Sequence, residues 1–111
     1  MKDGTRAERV GDEIRHIIAN ALLLESRDER LRELEITAVR VTPDLGTARV
    51  YWLPIATEPP SPAVQKALQK ALQGAAGFLR TRVGQSLRAR HVPELSFEYD
   101  RSVEAGRNME K

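Results

Sequence analysis

Two segments rich in β-branched and aromatic residues, separated by one tight turn, constrain the fold of this chain most strongly. The segments Ile36–Val41 and Thr47–Leu53 favour extended backbone, because branched and aromatic side chains pack well on a pleated surface. Residues 43–46 between them read Pro-Asp-Leu-Gly, a combination typical of turns. The pattern therefore predicts an antiparallel hairpin.

Alternation along the second segment divides its side chains between the two faces of the predicted sheet. Ala48, Val50 and Trp52 share one face, whereas Arg49 and Tyr51 lie on the other. The second face either meets solvent or extends a binding surface. Polar strand residues of this kind more often meet solvent.

A helix is predicted before the hairpin. Thr5 and Glu8 have the spacing of a capping box, in which each side chain satisfies a backbone N–H at the helix start. From Val10 to Leu22 the apolar residues recur at intervals of three and four and form one stripe. The charged residues 25–35 are expected to form an irregular link that contains about one helical turn.

A second helical stretch, residues 63–90, follows the proline-rich linker at residues 58–62. Gly74 and Gly77 interrupt this stretch between its two apolar stripes. A glycine inside a helix costs roughly 1 kcal/mol relative to alanine, so two glycines this close predict a kink or break. The stretch is therefore interpreted as two helices.

The last regular element predicted is a strand at Leu95–Tyr99, where apolar and polar residues alternate. The order helix, strand, strand, helix, helix, strand predicts an α+β fold. In this fold a three-stranded sheet carries the helices on one face. Residues 1–100 are expected to form this domain and residues 101–111 a flexible tail.

Several classes of protein are disfavoured by what the sequence lacks. It has no cysteine, no apolar run long enough to span a membrane and no apolar signal peptide, which fits a cytoplasmic protein. His16 and His91 lack metal-ligand spacing, and no Walker, nucleophile-elbow or dinucleotide motif is present. We therefore expect no enzyme activity, no metal and no cofactor.

Charge is segregated along the chain. The window from Pro59 to Pro93 contains no Asp or Glu, although the chain's average of 16 acids in 111 residues would place about five there. A positive region of this kind suits a polyanion, because each phosphate contact releases condensed counter-ions. An ordinary solvated helical face is the alternative. The basic residues of the window are Lys66, Lys70, Arg80, Arg82, Arg88 and Arg90.

The glycines at the predicted kink lie inside this window. Residues 74–77 read Gly-Ala-Ala-Gly and match the G-x-x-G of RNA-binding KH domains, where backbone approaches backbone closely. Close helix packing is the alternative explanation. Phe78 is the only aromatic residue of the window, which favours recognition of phosphate and shape over base stacking.

Residues 90–102, 75–80 and 44–51 contain three motifs that resemble those of the bacterial ribosome-binding factor A family. Residues 90–102, RHVPELSFEYDRS, are similar to its C-terminal signature R-x-x-P-E-L-x-F-x-x-D-x-S. Residues 75–80, AAGFLR, resemble its Ala-x-Gly kink followed by F-[IL]-R, and residues 44–51, DLGTARVY, resemble its hairpin motif D-L-x-x-A-x-V-Y. The resemblance extends from about Arg6 to Met109.

This resemblance implies a type II KH-like fold in which Ala75 and Gly77 form the kink and Gly74 is incidental. It also implies a non-catalytic assembly factor, and we expect this factor to be cytoplasmic and monomeric. Such a factor binds the small ribosomal subunit and its ribosomal RNA during maturation of the RNA 5′ end, and members are commonly linked to cold adaptation. The sequence departs from the family at residues 28–30, where Asp-Glu-Arg lacks the usual proline.

Two functional hypotheses follow. The first is RNA binding by the two C-terminal helices and their kink. The second is a protein-interaction module that docks an acidic partner through the same basic helices. The residues assigned to RNA binding are Lys66, Lys70, Ala75, Gly77, Arg80, Arg82, Arg88 and Arg90.

Overall fold

A computed structural model of the protein describes residues 5–88 and 91–102. The order of its elements confirms the predicted order, and a short 3₁₀ helix, Glu29–Glu33, lies in the charged link. Arg90 and residues 103–111 lie outside the described residues, so the boundary of the tail stays a prediction. The elements are α1 Arg6–Glu25, β1 Leu34–Val41, β2 Thr47–Pro54, α2 Pro62–Gly74, α3 Ala76–Leu87 and β3 Glu94–Tyr99.

The sheet has the strand order β1-β2-β3. β1 pairs with β2 in antiparallel register, with Val41 opposite Ala48, and a bulge between Ile36 and Ala38 shifts the register. β2 pairs with β3 in parallel, with Val50 opposite Phe97. A parallel partner needs a long crossover, and α2 and α3 supply it.

The apolar face of β2 forms the centre of the core, as the alternation predicts. Ala48, Val50 and Trp52 are fully buried beneath the helices, whereas Arg49 on the opposite face is exposed. Gln69 of α2 connects this core to the edge strand β3. The Trp52 indole N–H donates to the Gln69 Oε1 at 2.9 Å, and the Gln69 side-chain N–H donates to the Phe97 carbonyl at 2.7 Å.

Helix α1 begins with the predicted capping box. The Thr5 hydroxyl accepts from the Glu8 N–H at 3.1 Å, and the Thr5 N–H donates to the Glu8 carboxylate at 3.0 Å. Gly11 then lets the helix lie close to β1, because a Cβ at this position would stand 2.6 Å from the Val39 carbonyl oxygen. The sequence pattern did not identify this contact.

The hairpin turn is stabilised by its own side chains. The Asp44 carboxylate accepts from the Thr42 hydroxyl at 2.7 Å and from the Gly46 N–H at 2.9 Å. These two hydrogen bonds lower the pKa of Asp44. Leu45 has a φ of 62°, the left-handed conformation that this turn requires.

The kink between α2 and α3 falls where the two glycines predict it. α2 starts at the Ser61 cap, whose hydroxyl accepts from the Val64 N–H at 3.2 Å, with Pro62 at its first position. Ala75 separates the two helices with φ −90° and ψ −1°. Its N–H bonds to the Ala71 carbonyl at 3.1 Å, so backbone hydrogen bonding runs up to the bend.

Candidate nucleic-acid interface

The glycines beside the kink have no steric role inside the fold. Gly74 and Gly77 are exposed, and apart from the adjacent residues and the backbone of the same helix no described atom lies within 4 Å of a Cβ built at either position. Neither glycine has a positive φ. The space around Gly77 and its backbone conformation would both allow a side chain. Because glycine has none, the backbone at Gly77 is accessible to a partner. Ala75, at the bend itself, is half-buried.

Lys66 and Lys70 lie one turn apart on α2, in the row that leads to Gly74. Both are exposed, and among the described residues neither has an acidic partner within 4.0 Å. Their ammonium groups are therefore available to phosphate. Their exposure is compatible with the phosphate contacts that the sequence predicts for these two lysines, and the contacts themselves stay a prediction.

A groove of about 500 Å³ separates α2 from the edge of β3. Lys66 lines one wall, and Phe97 and Tyr99 line the other. Arg101 also lines the groove, with its guanidinium carbon 5.7 Å from the centre of the Tyr99 ring. Arg101 was missed at the sequence level because it follows β3, outside the acid-free window.

Arg80 holds the connection between α3 and β3. Its guanidinium donates to the Pro93 carbonyl at 3.1 Å and to the Val92 carbonyl at 2.8 Å, and it lies 3.7 Å from the Glu94 carboxylate. The side chain is still 43% exposed. Arg80 therefore combines a structural role with an outward-facing charge.

Arg82 is bound on several sides. It pairs with Glu25 at the end of α1, donates to the Gln85 side chain at 2.7 Å and lies 5.7 Å from the centre of the Phe78 ring. The window is free of acids along the sequence, but the fold brings Glu25 and Glu94 to it from α1 and β3. Two of the predicted RNA contacts, Arg80 and Arg82, thus already have counter-ions.

Arg88 ends α3 in the left-handed conformation, with a φ of 55°. Its N–H bonds to the Gly84 carbonyl at 3.1 Å, and its side chain is exposed. A groove of about 620 Å³ runs along α3 from Gly77 past Arg80 to His91. This groove connects the kink to the loop that precedes β3, and no sequence pattern predicted that His91 borders it.

The outer face of the sheet carries charges that largely pair with one another. Arg49 lies 3.7 Å from Glu98, and a hydrogen bond with Tyr51 together with that carboxylate raises the pKa of the guanidinium. Partial burial raises the pKa of Asp100, but hydrogen bonds from Ser102 and Thr37 outweigh it and lower the pKa. These pairings favour the solvent-facing interpretation of this surface.

Within residues 5–88 and 91–102 the structure holds no group of three or more His, Cys, Asp or Glu side chains arranged to bind a metal ion. No helix in the same residues combines the length and apolar character needed to cross a membrane.

Comparisons with known proteins agree with these features. A family model described as ribosome-binding factor A matches residues 6–111. A ribosome-binding factor A from Pseudomonas putida is 42% identical over 105 residues, which cover 95% of this chain and 78% of that protein.

Solved structures show the same fold. The solution NMR structure of a Thermotoga maritima protein superposes with a TM-score of 0.75 at 26% identity, over 94% of this chain and 95% of that one. A homology model of the Thermus thermophilus ribosome binding factor A, fitted into a cryo-EM map of a 30S complex with that factor, superposes with a TM-score of 0.68 at 24% identity, over 87% of this chain and 97% of that one.

Proposed function

This chain belongs to the ribosome-binding factor A family, and we propose that it is a non-catalytic assembly factor of the small ribosomal subunit. It binds the subunit and its ribosomal RNA in the cytoplasm, as a monomer and without a metal or cofactor, while the RNA 5′ end matures. The family's name and the 30S complex of the Thermus thermophilus protein support this assignment.

Gly77 is the observation that carries the proposed RNA contact. It is exposed beside the bend between two helices, and nothing in the described fold requires glycine there. A missing side chain lets the phosphate backbone of a folded RNA approach the protein backbone closely. Ala75 sets the bend that presents this surface.

The cations around the kink supply the phosphate contacts. Lys66, Lys70 and Arg88 are exposed without a recorded acidic partner in the described part of the chain, so they bind phosphate without first breaking an ion pair. Arg80 and Arg82 contribute through the exposed parts of their side chains. Arg90, outside the described residues, remains a proposed contact from the sequence.

Assembly requires that the protein distinguish an immature particle from a mature one. A ligand shifts a conformational equilibrium only by its difference in affinity for the two states. We propose that the kink surface fits an RNA arrangement that exists in the immature subunit. Binding then favours that arrangement, and the factor leaves when the mature RNA no longer fits it.

Substitution of Gly77 tests this function. Gly77→Ala places a methyl group in open space in the free protein, so the fold should be unaffected, whereas close approach of RNA should be blocked. Crowding a packed contact by one methyl typically costs about 1–3 kcal/mol, which predicts about a tenfold or larger loss of affinity for small subunits. Co-sedimentation with small subunits measures it.

Gly74→Ala is the matched control, because it makes the same chemical change at a second exposed glycine that meets no neighbour, whereas the Ala-x-Gly motif assigns the kink to Gly77 and not to Gly74. Its affinity for subunits should remain close to that of the unmodified protein. If Gly77→Ala binds subunits as tightly as Gly74→Ala does, backbone approach at Gly77 is wrong.

A further inference from the structure

A second surface lies at the end of the molecule where β2 leaves the sheet and α2 begins. Ile55 is 68% exposed and Val64 is 49% exposed, and both line one groove of about 290 Å³. Large apolar side chains that are exposed side by side often mark an interaction site. The other apolar residues of the groove are Leu34, Pro54, Ala56, Pro60 and Leu68.

The groove is preformed. The Ile55 N–H donates to the Glu33 carbonyl at 2.8 Å, which fixes the end of β2 against the 3₁₀ helix. Pro54 and Pro60 restrict the backbone on either side of Ile55. Little conformational freedom is lost when a partner binds a rigid groove. Its volume is below that of most cofactor sites and suits one or two apolar side chains.

The rim of this groove is acidic. Glu33 and Glu58 line it, and in the described residues neither has a basic partner within 4.0 Å. Arg30 also lines it, but the Asp28 carboxylate neutralises its guanidinium through two hydrogen bonds, of 3.0 and 2.6 Å. The unpaired charge at the rim is therefore negative, which repels RNA and attracts a basic partner.

We propose that this acid-rimmed groove docks a basic polypeptide segment that inserts an apolar side chain between Ile55 and Val64. The apolar walls hold the inserted side chain, and Glu33 and Glu58 pair with its Lys or Arg neighbours. This contact is additional to the proposed RNA contacts at the kink. It also reverses the charge of the protein-interaction hypothesis, which gave the basic helices an acidic partner.

Photo-cross-linking to isolated small subunits identifies the class of occupant. A benzophenone side chain replaces Val64 in the full chain, and the matched control carries it at the exposed Gln73, next to the kink. Co-sedimentation first establishes that each protein binds subunits, which tests the proposed function separately. The benzophenone at position 64 should cross-link to a basic segment of a ribosomal-subunit protein. The benzophenone at position 73 should cross-link to ribosomal RNA. Adducts from Val64 to RNA alone would overturn the proposal.

The double variant Ile55→Ser with Val64→Gln tests the energetics. Both side chains are largely exposed, so the fold should persist, and buried Trp52, the only tryptophan, reports this by fluorescence. We expect the Kd for small subunits to rise about tenfold, as for loss of an interface hot spot. Affinity for a 5′-region ribosomal RNA fragment should not change. The control Leu24→Gln alters a side chain that is 72% exposed and outside the groove.

Three results would contradict the docking proposal. The first is an unchanged Kd for subunits in the double variant. The second is an equal loss of affinity for the isolated RNA fragment, which would make the groove an RNA surface. The third is a dimer of the free protein that the double variant dissociates, since the occupant would then be a second copy of this chain.

Discussion

Cationic side chains on α2 and α3 fall into two groups according to what they contact. Arg80 and Arg82 reach back to carbonyl groups and to acids on neighbouring elements, so part of their hydrogen-bonding capacity is used within the fold. Lys66 and Lys70 extend into solvent from one row of α2. An RNA phosphate competes with a protein acid at the first group and only with water and counter-ions at the second.

This difference predicts a specific loss for the double variant Lys66→Gln with Lys70→Gln. The slope of log affinity for ribosomal RNA against log salt should become shallower by about 1.5, because each lost phosphate contact removes about 0.7–0.9. Filter binding across a salt series measures the slope. Arg9→Gln with Arg27→Gln removes two exposed charges elsewhere and should leave it unchanged. Equal changes in both pairs would show that net charge matters and position does not.

At the scale of elements, the packing of α1 on β1 depends on a single glycine. A Cβ at Gly11 would approach the Val39 carbonyl oxygen to 2.6 Å, so the helix or the strand would have to move. This position therefore differs from Gly77, where the same methyl group meets nothing. Identical substitutions at these two glycines separate a requirement of folding from a requirement of binding.

Gly11→Ala should destabilise the protein. Overpacking costs about 1–3 kcal/mol, and because the methyl group would meet rigid backbone here, we expect the cost to exceed the roughly 1 kcal/mol that alanine contributes to helix propensity at best. Urea unfolding followed by Trp52 fluorescence measures the free energy of unfolding, because Trp52 is fully buried in the fold. Gly77→Ala, the control, should unfold at the same urea concentration as the unmodified protein or higher. A Gly11→Ala protein of unchanged stability would refute the close-packing argument.

Local chemistry was sufficient to predict the elements. The turn at 43–46, the capping box at Thr5 and the helix break between Gly74 and Gly77 each depend on residues near one another in the chain. Features that depend on tertiary contacts could not be predicted in this way. The pairing of Arg82 with Glu25 spans 57 positions, and the approach of Gly11 to Val39 appears only when α1 lies on β1. The groove beside Ile55 likewise needs three separate segments.

Over the whole molecule, the N-terminal part of the chain has a net negative charge and the C-terminal part a net positive charge. Residues 1–61 carry nine basic and eleven acidic side chains, a net charge of −2, and residues 62–111 carry nine and five, a net charge of +4. Helix α2 connects the two proposed surfaces, since Val64 lies in its first turn and the kink follows its last residue. The ten residue-to-residue steps from Val64 to Gly74 span about 15 Å along the helix, so one partner side chain cannot contact both ends.

Two surfaces that bind independently should contribute additive free energies. Gly77→Ala combined with Ile55→Ser and Val64→Gln should therefore weaken binding to small subunits about a hundredfold, the product of two roughly tenfold effects. Toward an isolated ribosomal RNA fragment, the combined variant should lose only the tenfold attributed to Gly77, because the fragment carries no protein for the groove. Titration of labelled protein with subunits and with the fragment measures both. A combined variant no weaker than Gly77→Ala toward subunits would mean that the groove and the kink do not bind the same particle at once.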